Sequence, residues 1–198
     1  SAASDVYKRQ NLANIKCEIR EVSLKNKPQS MIKISPKATV PVLYVNDKVI
    51  DESIEIINWT LLKKDIFKNR LSKEQEEYSN EIIRLFDEEF KPSLDRYKYN
   101  NRYKNENREE HKKKCLKILK KIEINMNSSS KWFFSDDINK IDISILPFVR
   151  QFRLADECWF DNTNELARTK QWLDSFLKSS LFRNIMIKKE NWVDGDKP

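Results

Sequence analysis

From Ser35 to Leu43 the chain reads Ser-Pro-Lys-Ala-Thr-Val-Pro-Val-Leu, and Asp51-Glu52-Ser53 follows shortly after. No other stretch narrows the possible folds as far. Val42 to Val45 is a short apolar run, Asn46-Asp47 is a turn, and Val49-Ile50 is a second short strand. Glu52-Ser53 then opens a helix whose apolar positions Ile54, Ile57 and Leu61 share one face. A carboxylate and a hydroxyl at a helix start, beside free backbone N–H groups, suit a small zwitterionic ligand. The carboxylate takes an ammonium and the helix end takes a carboxylate.

Around this motif the pattern divides. Ile15, Cys17 and Ile19 alternate with Lys16, Glu18 and Arg20, which predicts a half-buried strand. Pro28 suits the first turn of a short helix that ends before Pro36. From Ser72 onward everything reads as helix. Ser72 and Gln75 form a capping box, and Tyr78, Ile82, Leu85, Phe86 and Phe90 make one apolar stripe. A second helix carries Cys115, Leu119, Ile122 and Met126. The polar loop 127–137 contains Trp132-Phe133-Phe134, expected to plug the core. Asn139 and Asp142 are a second capping box, structural rather than catalytic, which launches an apolar helix from Ile143 to Leu154. Two shorter helices are expected around Leu166–Leu177 and Leu181–Ile187. The tail from Lys188 is expected to fray, with Trp192 as its docking residue.

Composition removes several functional classes. At 198 residues the chain can bury a real core in one large or two small domains. No apolar run approaches the roughly 20 residues that span a bilayer, and the first ten are too polar for a signal peptide. The net charge of +7 arises from 38 basic and 31 acidic residues interleaved along whole helices, with no zinc-finger spacing and no RNA-binding aromatic motif. The charge therefore reads as solvated helix faces, and neither nucleic acid nor membrane is expected as a partner. Cys17, Cys115 and Cys158 are unpaired in spacing, which places the chain in a reducing cytoplasm. The single histidine, His111, sits in a Lys/Glu run and is expected to be exposed and idle, so no metal site is expected. The single glycine, Gly195, excludes a P-loop and a dinucleotide-binding fingerprint.

A small β-containing unit with a Val-Pro turn and a Glu-Ser helix start, followed by an all-helical region, resembles the glutathione transferase family over residues 15 to 190. The resemblance implies an α/β thioredoxin-like N-terminal domain joined to an all-α C-terminal helical domain. It implies that Thr39-Val40-Pro41 is a cis-proline turn, where Val40 offers main-chain hydrogen bonds to the cysteinyl part of glutathione and Pro41 shapes the site. It implies that Glu52 and Ser53 grip the γ-glutamyl end, and that Asn139-x-x-Asp142 starts the buried core helix. Ser23-Leu24-Lys25-Asn26-Lys27-Pro28 is similar to the omega class, where the lysine before the proline faces the tripeptide; Lys27 stands thirteen residues before Val40. Residues 147–152, Pro-Phe-Val-Arg-Gln-Phe, look like bacterial transferases of the cysteine type. Ala38 replaces a frequent family glycine.

The same resemblance puts the catalytic Cys, Ser or Tyr on a first strand and first helix, which need roughly 20 to 25 residues. Only about fourteen precede Ile15. Residues 1–10 read as a non-native leader, and Tyr7, Ser1 and Ser4 are poorly placed for catalysis; Cys17 reads as a packed thiol. The expected organisation is a leader over 1–10, a partial glutathione-binding domain over 11–62 without its first strand, a linker over 63–71, a helical domain over 72–188 and a tail over 189–198. The catalytic residue is expected in a segment preceding the residues present. The implied activity is glutathione-dependent thiol transfer or conjugation on a small electrophile or disulfide by a cytoplasmic homodimer, with glutathione as cosubstrate and no metal. The rival is a non-catalytic module of the same fold that docks other proteins. A tripeptide-binding pair at Glu52-Ser53 favours the enzyme.

Overall fold

The computed structural model describes residues 18–52, 55–56, 58–60, 67, 70–103, 106–186 and 190–196. Residues 15–17 of the strand expected over 15–20, and the residues Ser1, Ser4, Tyr7, Cys17, Ser53, Ile54, Ile57 and Leu61, lie outside them. Two compact units are formed, one by Ser1–Ile66 with Ser179–Pro198 and one by Phe67–Lys178.

In the first unit, helix α1 spans Gln29–Ile34. Pro28 is its N-cap rather than its first residue, one position earlier in the helix than the sequence suggests. Strands β1 (Leu43–Val45) and β2 (Lys48–Ile50) pair antiparallel, with Leu43 opposite Ile50, Tyr44 opposite Val49 and Val45 opposite Lys48. The two-residue connection Asn46-Asp47 has φ of 48° and 60°. Positive φ at both central positions is the type I′ geometry that matches the twist of a tight hairpin, and Asn and Asp tolerate it. Residues 55–56 and 58–60 are helical, and the main chain of Glu52 accepts from Ile56 N at 3.1 Å.

Residues 18–20 are not in a strand, and Glu21 forms an isolated parallel bridge with Asn191. The tail is therefore docked where fraying was expected. Trp192 N–H donates to Glu21 O at 2.7 Å, and the Arg20 guanidinium lies 4.3 Å from the centre of the Trp192 ring. An aromatic face beneath a cation stabilises such an edge where apolar burial is modest.

The second unit is helical. Helix α2 (Lys73–Leu85) starts at the Ser72–Gln75 capping box. A π-helical turn over Phe86–Phe90 then leads directly into α3 (Lys91–Lys98). The apolar stripe predicts one uninterrupted helix, but Pro92 lacks an N–H and its ring would clash with the carbonyl one turn back. The wide turn just before it, with Lys91 N–H donating to Phe86 O, accommodates the proline. It also stacks the Phe86 and Phe90 rings at 4.3 Å.

Helices α4 (Arg108–Glu123), α5 (Lys140–Ala155), α6 (Glu157–Asn162) and α7 (Ala167–Leu177) complete this unit, and α8 (Ser180–Ile185) belongs to the first. Helix α5 packs against α2, α3 and α7, and every residue from Ile141 to Pro147 is buried.

His111 is a correction. It is buried, and its Nε2 lies 2.6 Å from Glu106 Oε2, an oxygen that also sits 2.9 Å from Arg96 Nε. The spacing 111, 115, 118, 122 places it on the inward stripe of α4 with Cys115, Ile118 and Ile122, a helical period that the surrounding charges obscure.

Candidate functional site

The residues around the Val-Pro turn are positioned by the end of α1 and the end of the hairpin. Ser35 closes α1: its N–H donates to Met31 O at 2.9 Å, and its carbonyl accepts from Ala38 N at 2.9 Å. The second bond makes Ser35-Pro36-Lys37-Ala38 a reverse turn with proline at its second position, where the ring's fixed φ is already suitable. Ala38 leaves this turn at φ 50°, in the left-handed region. The Val40–Pro41 peptide bond is cis, and Pro41 is buried while Val40 is half-buried. Among the described residues, no backbone hydrogen bond joins the main-chain N–H or C=O of Val40 to another residue.

Four side chains converge between this turn and the residues after β2. The Ser35 hydroxyl donates to Asp51 Oδ2 at 3.0 Å. The Lys37 ammonium donates to Asp51 Oδ1 at 3.2 Å and to Glu52 Oε1 at 3.0 Å. Hydrogen bonding to Glu52, then to Asp51, holds the Lys37 ammonium above its ordinary pKa. The bonds from Lys37 and from Ser35 hold the Asp51 carboxyl below its usual range. These are the signs expected of a charge-assisted network. Such a network can bind an ammonium at its carboxylates.

Of the residues singled out from the sequence, Val40, Pro41 and Glu52 fall in this neighbourhood, through the turn and the hairpin. Lys27 lies on the approach to α1, half-buried, and its side chain makes no ion pair with a described residue. Ser53 lies outside the described residues. Lys37, Asp51 and Ser35 were missed as members of this network, in which Lys37 bonds Glu52 and Asp51 and Ser35 bonds Asp51. Their signal was present, since all three lie inside the motif, but a turn must close before Lys37 meets a carboxylate fifteen residues away.

Asn139 and Asp142 form the second capping box, in the other unit. Asn139 Oδ1 accepts from Ile141 N at 3.1 Å, and Asp142 Oδ2 accepts from Asn139 N at 2.8 Å. Asp142 Oδ1 takes two further bonds, from Phe133 N at 2.9 Å and from the Trp172 indole N–H at 2.7 Å. One carboxylate thus joins α5, the 127–137 loop and α7. The Arg168 guanidinium holds the same loop through the carbonyls of Asn127, Ser130 and Trp132. Phe133 packs edge-on against Trp172 with ring centres 5.4 Å apart.

Neither described thiol sits near the Val-Pro turn in sequence or in unit. Cys115 is buried at the centre of α4, where burial pushes its thiol up to about 12, so it is protonated and inert at neutral pH. Cys158 is exposed on α6. Among the described residues no group of three or more His, Cys, Asp or Glu could hold a metal ion, and no helix is long and apolar enough to cross a membrane.

Residues 10–65 match the family model of the glutathione S-transferase N-terminal domain. Solved structures align over almost the whole chain. Glutathione transferase Omega 3C from Trametes versicolor is 15% identical with a TM-score of 0.74, covering 96% of this chain and 86% of its own. A Tau class glutathione S-transferase from mango, Mangifera indica, is 20% identical with a TM-score of 0.78, covering 95% and 89%. A glutathione transferase homologue from sulfitobacter, solved with bound glutathione, is 8% identical with a TM-score of 0.74, covering 93% and 92%. No curated protein sequence matches the chain. The chain has the glutathione transferase fold: a small thioredoxin-like N-terminal domain with a short two-stranded sheet, and a mostly helical C-terminal domain.

Proposed function

We propose that this protein is a glutathione transferase of the cysteine-dependent, omega-like kind, a cytoplasmic homodimer that binds glutathione at Lys27, Val40, Pro41, Glu52 and Ser53. One observation carries the reading: the Glu52 carboxylate, at the start of a helix beside the Val-Pro turn, already coordinates an ammonium, that of Lys37, at 3.0 Å. The α-ammonium of the γ-glutamyl group asks for the same acceptor. The match of residues 10–65 to the glutathione S-transferase N-terminal domain, and the bound glutathione in the sulfitobacter homologue, support the same ligand.

Thiol transfer runs as two exchanges. A cysteine thiolate attacks the glutathionyl sulfur of a mixed disulfide, releasing the small thiolate and leaving the protein joined to glutathione. A second glutathione thiolate then attacks that bond, releasing glutathione disulfide and restoring the protein thiolate. Cys115 is unsuited to this role, because a buried thiol held at about 12 yields almost no thiolate.

Calorimetry with glutathione tests the site. Glu52→Ala removes a charge-assisted partner and should weaken binding roughly ten- to a hundredfold. Unchanged affinity in that variant would sink the assignment.

A further inference from the structure

We propose that Lys37 stands in for the ligand's ammonium in the free protein, and so sets how strongly the Glu52 site selects a ligand that brings its own. This rests on reading Glu52 as the anchor for the amino end of glutathione. A lysine ammonium and an α-ammonium each present three N–H donors and no acceptor. Whatever satisfies the carboxylate in the free state must leave or shift before the ligand's ammonium can replace it.

The chain builds this contact deliberately. Lys37 is the third residue of the turn closed between Ser35 O and Ala38 N, so the backbone directs its stem. Its second acceptor, Asp51, is held by the Ser35 hydroxyl. The ammonium therefore bridges two carboxylates at 3.0 and 3.2 Å, and the bridge needs no ligand to form.

The contact is also displaceable. The Lys37 and Glu52 side chains are 58% and 59% exposed. Water and salt screen such a pair, so an incoming ammonium competes against a weak interaction. A ligand without an ammonium gains nothing by displacing Lys37, because Glu52 would then face only water. Lys37 therefore acts on selectivity for the amino group more than on binding as a whole.

Calorimetry on Lys37→Gln, with glutathione and with a glutathione analogue lacking the α-amino group, tests this. At low ionic strength the variant should bind glutathione about two- to fivefold more tightly, the range open to an exposed ion pair. The gain should fade at roughly 0.5 M salt, where screening is short-ranged. Affinity for the deaminated analogue should not rise. Weaker or unchanged glutathione binding by Lys37→Gln, or an equal gain for both ligands, would overturn the proposal. If the native chain binds glutathione and Glu52→Ala weakens it while Lys37→Gln has no effect, the role of Lys37 falls and the glutathione site stands. If the native chain binds no glutathione, both fall together.

Discussion

Ala38 shows how a single backbone angle decides the sign of a substitution. At φ 50° its Cβ crowds the following carbonyl, a cost of about 1–2 kcal/mol that glycine does not incur. Glycine in turn loses about 0.4–1 kcal/mol through the greater freedom of the unfolded chain. The strain is the larger, so Ala38→Gly should stabilise the protein by about 0.5–1 kcal/mol. Urea unfolding would show this as a higher midpoint at constant slope; a lower midpoint would mean that the Ala38 side chain contributes packing that outweighs its backbone cost. The sequence marks Ala38 as an unusual residue for its place in the motif. Only the dihedral shows that the place is left-handed.

At the scale of elements, α1 depends on a residue far along the chain. A helix of six residues is marginal by itself, and Pro28 offers it no side-chain cap. Asp194 supplies the missing acceptor, taking the Gln29 N–H at 2.8 Å, the Ser30 N–H at 3.4 Å and the Ser30 hydroxyl. The hydroxyl bond, reinforced by the two backbone donors and Lys33, holds the Asp194 carboxyl below its usual range. A carboxyl depressed in the folded state binds its proton more weakly there than in the unfolded chain. Its stabilisation is therefore complete above the unfolded value near 4 and disappears as pH falls through the folded value. Amide exchange in 29–34 should quicken as the pH drops below about 4, beyond the intrinsic pH dependence of exchange. Asp194→Ala should quicken it several-fold at neutral pH. Equal protection of 29–34 in that variant and the native chain would show that α1 is held by packing alone.

At the scale of the molecule, the helical unit is organised around one buried polar node. Asp142 accepts from Asn139, Phe133 and Trp172, and it is fully buried. Asp142→Ala strands three N–H donors in a dry interior at about 1–3 kcal/mol each before relaxation, so a net loss of about 3–5 kcal/mol is expected. Asp142→Asn keeps one oxygen acceptor and should lose less. The native group also carries a pH signature opposite to that of Asp194. Burial raises its carboxyl to about 7, against the pull of the Asn139, Phe133 and Trp172 donors. Between the unfolded value near 4 and about 7 the folded state then holds the proton more tightly, so this group's contribution to stability falls as pH rises across that window. Thermal unfolding from pH 4 to 7 should show the decline in the native protein and lose it in Asp142→Asn. Glutathione affinity per folded molecule should be the same in both. An Asp142→Asn protein of full stability that fails to bind would mean the node serves the ligand.

The division between sequence and tertiary structure follows from the range of the forces involved. Local rules act over one turn of helix or one hairpin. The Asn46-Asp47 turn, the capping boxes at Ser72 and Asn139, and the buried face of α5 were therefore all readable from neighbouring residues. The cis Val40–Pro41 bond, expected from the family resemblance, also lies within one short motif. What required the folded chain was every interaction whose partner is remote or whose period is masked. Pro92 acts on the helix before it and converts an expected α-helical stripe into a π turn. His111 turns inward because tertiary packing selects one face of a helix whose charges surround that face. Lys37 finds Glu52 only after a turn and a hairpin bring fifteen residues back on themselves. Asp194 reaches α1 across 165 residues, and no pattern within either segment specifies that encounter. Composition and periodicity encode which surfaces must be buried. Which carboxylate then meets which donor is decided by the geometry of the closed chain.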